Sequence, residues 1–227
     1  CAMTKKPVIA IDGFSSTGKS SISKIIAKNL GLIHMDTGAL YRGLTYFAIQ
    51  NCIHEDHSIS IEKLIASLPD INLEFQNVDG ELQLFLNGEN INKEIRFPQV
   101  SDNVSQVAKE AEIRNFLLKT QRDIAEKGGV IMDGRDIGTV VLPDADYKFF
   151  MTASQQERAR RRFMELESAG EKTDVETVKQ NLIKRDKIDS EREVSPLKQA
   201  DDAILIDNTD INKDETIELI LSYIKKF

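Results

Sequence analysis

Two cysteines, Cys1 and Cys52, are too few for a disulfide framework, and that scarcity points to a reducing compartment. No apolar run approaches the roughly 18 residues that a membrane-spanning helix needs, and the N-terminal stretch lacks the apolar core of a secretory signal. An excess of positive charge is also missing: 30 Lys and Arg stand against 37 Asp and Glu, a formal net charge of −7. That balance argues against broad binding to nucleic acid or anionic membrane. A polyanionic substrate must therefore meet a local basic cluster. Repeats, low-complexity tracts and long linkers are absent. The expectation is a cytoplasmic monomer without nucleic-acid or membrane partners. Cys1-Ala2 before Met3 reads as a cloning remnant and is set aside.

What is present is a chain of 227 residues with 41% hydrophobic side chains, room for about 1.5 average domains. One core domain over 3–227 with an insertion fits that length. Short apolar runs at Val8–Ile11, Val130–Met132 and Tyr147–Phe150 read as strands buried on both faces, Leu32–Met35 as a further short strand, and Ala203–Ile206 as the strand that completes the sheet. Helical patterns lie between them: Ile22, Ile25, Ile26 and Leu30 up to Gly31, then Leu40, Leu44, Phe47 and Ala48 from about Thr37. Pro98 opens a long helical stretch, and further helices are expected near 154–168, 173–190 and 213–225. The alternation predicts an α/β fold with a five-stranded parallel sheet flanked by helices. Residues 71–97 differ. Ile71, Leu73 and Phe75 alternate with polar residues, as do Leu82, Leu84 and Leu86, and Asp79-Gly80 and Asn87-Gly88 are turn signals. That segment is read as an antiparallel insert.

Gly13-Phe14-Ser15-Ser16-Thr17-Gly18-Lys19-Ser20 satisfies the G-x-x-x-x-G-K-[ST] pattern, directly after a strand and before an amphipathic helix. There the loop amides and the helix N-terminus can bind phosphate oxygens. Lys19 supplies charge to the β- and γ-phosphates, and the Ser20 hydroxyl a ligand for Mg²⁺. This P-loop implies nucleoside triphosphate binding and leaves open a switch, a motor or a phosphotransferase. Asn212-Lys213-Asp214-Glu215 only approximates the guanine-reading Asn-Lys-x-Asp motif and is read as a solvated helix start. The length favours a phosphotransferase.

Candidates for a second substrate follow. Asp36 to Arg42 sits after the second strand, where ligands bind at the carboxyl end of a parallel sheet. Thr37 offers a hydroxyl and Arg42 a fork for phosphate. Gly134-Arg135-Asp136-Ile137-Gly138-Thr139 follows another strand. Arg185, Asp189 and Arg192 share one helix face by spacing. Arg158, Arg161 and Arg162, spaced to share a face, supply local positive charge.

These blocks, with Ile9 to Gly13 and Ser105-Gln106-Val107-Ala108, run in order over nearly the whole chain, which resembles the bacterial cytidylate kinases of the nucleoside monophosphate kinase family. Gly-Arg-Asp-x-Gly-Thr with Arg-Asp-x-x-Asp-x-x-Arg is the specific part of the likeness. The resemblance implies a P-loop core, a monophosphate-binding region over 37–127 that includes the insert, and a short helical lid within 152–192. It implies transfer of the ATP γ-phosphoryl group to CMP or dCMP with Mg²⁺. Gly13 to Ser21 and Arg161 would bind ATP. Thr37, Arg42, Ser105, Arg114, Arg135, Asp136, Arg185, Asp189 and Arg192 would bind CMP, with Ser105, Arg114 and Asp136 on cytosine. Lys19, Arg135, Arg158, Arg162 and Arg185 would serve the transfer. Asp36 and Asp133 are candidates to hold the waters of the Mg²⁺ that Ser20 ligates, or to cap neighbouring segments.

Phe14 and Ser16 stand where the family commonly has Pro and Gly, Thr37 replaces a usual Ser, and Ala111 stands where Pro is frequent. On an unbroken helix the nine residues from Ser105 to Arg114 turn about 900°, leaving them on opposite faces. A break between about 108 and 112 is therefore expected. Duller readings remain: Arg185 and Asp189 as a surface pair, Arg160 to Arg162 as a solvated face, and His54-Glu55-Asp56-His57 as a polar turn rather than a metal site. A related kinase for UMP or a metabolite, or a nucleotide-binding switch without turnover, are the alternatives.

Overall fold

The computed structural model describes residues 5–227, so Cys1, Ala2 and Met3 fall outside the described residues. The chain divides into two compact units, one formed by the chain up to Met35 with Ile124–Phe227, the other by Asp36–Asp123.

The first unit is built on a five-stranded parallel sheet. Strand β1 (Val8–Gly13) leads through the P-loop into helix α1 (Lys19–Leu30), and β2 (Ile33–Asp36) follows. Gly31 ends α1 in the left-handed conformation, φ 66°, where its N–H reaches helix carbonyls. Strands β6 (Val130–Gly134), β7 (Tyr147–Thr152) and β8 (Ile204–Asp207) complete the order β2-β6-β1-β7-β8. Apolar runs with no alternation suit β1 and β6, because both of their faces are covered. Ile9, Ile11, Ile131, Phe149 and Met151 pack there with Ile22 and Ile26 of α1 and Ile217 and Ile220 of the last helix. The chain leaves β1 toward β2 on one side, whereas it leaves the adjacent β6 toward β7 on the other, so the carboxyl ends of β1 and β6 form a topological switch point.

The second unit opens with α2 (Gly38–Asn51), then α3 (Ile61–Ser67), a short helix that the sequence pattern did not suggest. Strands β3 (Leu73–Val78), β4 (Glu81–Leu86) and β5 (Glu89–Asn90) form the expected antiparallel insert. Both turn pairs adopt positive φ: Asp79 52° and Gly80 87°, Asn87 48° and Gly88 84°. These are the angles that match the twist of a hairpin. Helix α2 lies on this sheet at Gly43, where a Cβ would stand 2.8 Å from Leu84 and 3.1 Å from Leu73.

The helical stretch after Pro98 does break, into α4 (Pro98–Ala108) and α5 (Ala111–Glu126). Proline is not needed. The Arg114 guanidinium reaches back and donates from Nη1 to the Ala108 carbonyl at 2.6 Å, capping the negative end of α4. Helices α6 (Gln155–Ser168) and α7 (Val175–Glu191) pack together through Ala159, Val178 and Leu182, and α8 (Lys213–Tyr223) closes the chain. Asn212 caps α8 reciprocally with Glu215, so the near-match to a guanine motif is a helix start. Among the described residues no helix is long and apolar enough to cross a membrane.

Candidate active site

Packing fixes the conformation of the P-loop. Gly13 has φ 154°, and a Cβ there would come within 2.2 Å of the Met151 carbonyl, so no side chain fits. Phe14 N–H donates to that same carbonyl at 3.2 Å. Thr17 Oγ1 donates to Phe14 O at 2.9 Å. Ser16, where the family commonly has Gly, adopts φ 58°. Phe14, the other departure, has a packing role: its ring meets Phe150 edge-on at 5.8 Å and lies under the Arg158 guanidinium at 4.9 Å. Gly18 caps α1 at φ 82° without a side chain, and the first turn of α1 has no acidic residue. The positive end of that helix thus suits an anion.

Beside Lys19, Ser20 Oγ donates to Asp133 Oδ1 at 2.8 Å, joining the loop to the end of β6. Asp133 is 1% exposed, and its Oδ2 accepts from His34 Nε2 at 2.5 Å. Burial alone would raise its carboxyl, but the His34 bond, the Lys19 charge and the Ser20 bond outweigh it and hold the group below the usual range. One hydroxyl and one ionised carboxylate are hard oxygen donors suited to Mg²⁺, too few to hold it without phosphates and water. Asp36 sits at the start of α2, with Oδ1 3.0 Å from where a Gly38 Cβ would be.

The arginines expected to share one face of a lid helix do not, and that reading is corrected. Arg158 points inward at 2% exposure. Its Nε donates to Ser15 O at 2.8 Å, and Nη1 and Nη2 donate to the two oxygens of Asp186 at 2.7 Å each. Arg161 donates to Glu157 and to Asn208, at Oδ1 (2.9 Å) and at the backbone carbonyl (2.8 Å). Arg162 faces outward to Glu165 at 3.2 Å, and Arg160 to Glu157. Helical spacing brings three residues together on a wheel, but what packs over the helix decides which become buried.

Two residues of this region escaped the sequence reading. Asn208 is 3% exposed and donates from Nδ2 to Thr17 O at 2.9 Å, so it links Arg161 to the P-loop. Asp186 holds Arg158. Asp186 stood inside a recognised block, but nothing in sequence marks Asn208.

Asp189 is buried at 5% exposure and is no surface residue. Its Oδ2 accepts from Arg135 Nε at 3.2 Å, and Arg192 Nη1 lies 3.9 Å from its Oδ1. The structure thus brings Arg135, Asp189 and Arg192 together, with Arg185 one turn before Asp189 on α7. Arg192 also donates to Ser195 O at 2.7 Å. Asp136 is 4% exposed and precedes a π-helical turn, Ile137–Val141.

In the second unit, Thr37 is buried at the start of α2 and Arg42 lies one turn on, half-buried. Arg114 is 6% exposed and lies 4.7 Å from the centre of the Tyr41 ring. Ser105 is on the last turn of α4, and Arg114 on the first of α5. The break between them removes the objection that one helix would hold them apart.

The cytidylate kinase family profile matches residues 9–226. A cytidylate kinase of Flavobacterium johnsoniae is 49% identical over 222 residues, covering 97% of this chain and 96% of that one. One from Bacillus cereus is 45% identical, covering 98% and 97%. A shikimate kinase structure from Bacteroides thetaiotaomicron covers 95% of this chain and 97% of its own at 9% identity and a TM-score of 0.49. With the P-loop braced as described and both arginine-bearing motifs in place, a match of this length and identity leaves one assignment: the chain belongs to the cytidylate kinase family.

Proposed function

We propose that the protein transfers the γ-phosphoryl group of ATP to CMP and dCMP, giving the diphosphates. The observation that carries this reading is the family match over 9–226 in a chain whose P-loop has Ser20 bonded to Asp133. Lys19 and the α1 N-terminus hold the β- and γ-phosphates. The acceptor oxygen is already anionic on a phosphate monoester, so it attacks the γ-phosphorus without a general base as the bond to the β-phosphate oxygen breaks and ADP leaves. What the protein supplies is alignment and charge. Bound through Ser20, with Asp133 on its waters, Mg²⁺ would neutralise charge on the β- and γ-phosphates.

For the acceptor, Arg42, Arg135, Arg185 and Arg192 take the phosphate, Asp189 the sugar hydroxyls, and Ser105, Arg114 and Asp136 the base. Cytosine carries an amino donor that complements a carboxylate, whereas uracil presents a carbonyl there and is disfavoured by Asp136. Arg158 braces the loop that cradles ATP, and of the three arginines proposed for transfer or ATP binding on α6, Arg162 is the most exposed and the one able to reach a ligand. Coupled ADP release with CMP, dCMP, UMP, AMP, GMP and shikimate tests the reading. Turnover confined to the cytidine nucleotides is expected. Preference for UMP or shikimate would overturn it, as would tight ATP binding without turnover.

A further inference from the structure

Asp12 is a buried carboxylate that the mechanism above leaves without a task. It lies next to the end of β1, 4% exposed, in register with Gly134 of β6. Its Oδ1 accepts the Ile137 N–H and its Oδ2 the Gly138 N–H, both at 2.8 Å. Those are the first two residues of the π-helical turn. The turn closes on Asp136, whose carbonyl accepts the N–H groups of Val140 at 2.9 Å and Val141 at 3.1 Å. The first N–H groups of any helical turn lack partners in their own backbone. Here the partner comes from a different strand, and Asp136 sits between Gly134, held by β1, and the turn held by Asp12.

A group that served packing alone would not be an acid in this position. Burial is the largest influence on Asp12 and pushes it up to about 6; the N–H groups of Gly138 and Ile137 pull it back, the Asp136 charge raises it and Lys19 lowers it. Asparagine has the same shape, yet it offers one acceptor oxygen and one amino group, so one of the two N–H groups would face a donor. Gly138 fits the same arrangement. A Cβ there would stand 3.4 Å from Asp12 Oδ2 and 3.1 Å from the Lys148 side chain.

We infer that Asp12 is a positioning residue for base selection: its carboxylate fixes the turn after β6 so that Asp136 is presented in one orientation, and its place beside Gly13 ties that turn to the P-loop. The inference rests on the reading that Asp136 recognises cytosine, and the test separates the two. Asp12→Asn, Gly138→Ala and Asp136→Asn are compared with wild type for kcat and KM with CMP, UMP and ATP, with thermal unfolding alongside. Losing one buried hydrogen bond that orients a reading group corresponds to about a tenfold effect. Asp12→Asn is therefore expected to raise KM for CMP about 10-fold and to cut discrimination against UMP by as much, with KM for ATP moving less than about 3-fold. Gly138→Ala should shift selectivity in the same direction, and it decides the matter if Asp12→Asn does not fold. Folded variants with wild-type discrimination, or with equal losses for CMP and UMP, overturn the inference while Asp136→Asn loses selectivity. If Asp136→Asn itself keeps full discrimination, the base reading fails and this inference falls with it.

Discussion

Arg158 and Asp186 form a buried two-bond pair, 2.7 Å at each contact, with the guanidinium 2% and the carboxylate 14% exposed. The same guanidinium holds the Ser15 carbonyl, so a pair between α6 and α7 sets the shape of the phosphate loop. Asp186→Asn leaves a buried charge without its counter-ion and is expected to lower stability by about 3 kcal/mol. It should also raise KM for ATP about tenfold, since one bond to the loop geometry is lost. Urea denaturation and steady-state kinetics measure both. The double replacement Arg158→Met with Asp186→Leu should recover most of the stability and none of the ATP affinity.

Ser16 at φ 58° carries a Cβ where the backbone favours glycine. Ser16→Gly relieves that strain, offset by the freer unfolded chain, and is expected to stabilise by about 0.5–1 kcal/mol. The thermal midpoint reads it. An unchanged or lower midpoint would mean that the serine hydroxyl contributes as much as the strain takes away.

Gly43 lets α2 sit directly on Leu84 and Leu73. Gly43→Val forces those side chains or the helix to move, at about 1–3 kcal/mol. Because α2 also carries Arg42, KM for CMP should rise while KM for ATP holds. Equal changes in both constants would contradict this.

The sign of pH dependence follows from Asp12. Its carboxyl is raised from 3.8 to about 6 by burial first of all, so its contribution to stability is fully present below about 4 and is lost as pH rises through about 6. The stability of wild type relative to Asp12→Asn should therefore fall between pH 4 and 6 by at most about 3 kcal/mol and stay level above. Urea midpoints across that range test it. A difference that grows with pH would show that the two N–H bonds outweigh desolvation.

Local chemistry was legible in the sequence; long-range partners were not. The runs at Val8 and Val130, the turn pairs Asp79-Gly80 and Asn87-Gly88, and Gly31 after α1 each carry their signal within a few residues, and the structure follows them. The helix break near Lys109 was legible only through a functional demand, since Ala111 does not force it. Its physical cause, Arg114 on the Ala108 carbonyl, lies six residues away. The π-helical turn was invisible because its start is satisfied by Asp12, 125 residues earlier. The divergence of Arg158, Arg161 and Arg162 was invisible for the same reason: Ser15, Asp186 and Asn208 are brought to them by the fold.

β1 leaves the ribosome well before its two neighbours in the sheet, which begin at Val130 and Tyr147, and the amide that holds the Thr17 carbonyl belongs to Asn208. Non-local pairing of this kind closes late. During synthesis the nascent phosphate loop thus waits, without its lateral strands or its last clasp, until Asn208 has emerged, and a chain stalled before that residue cannot yet grip nucleotide in the finished way.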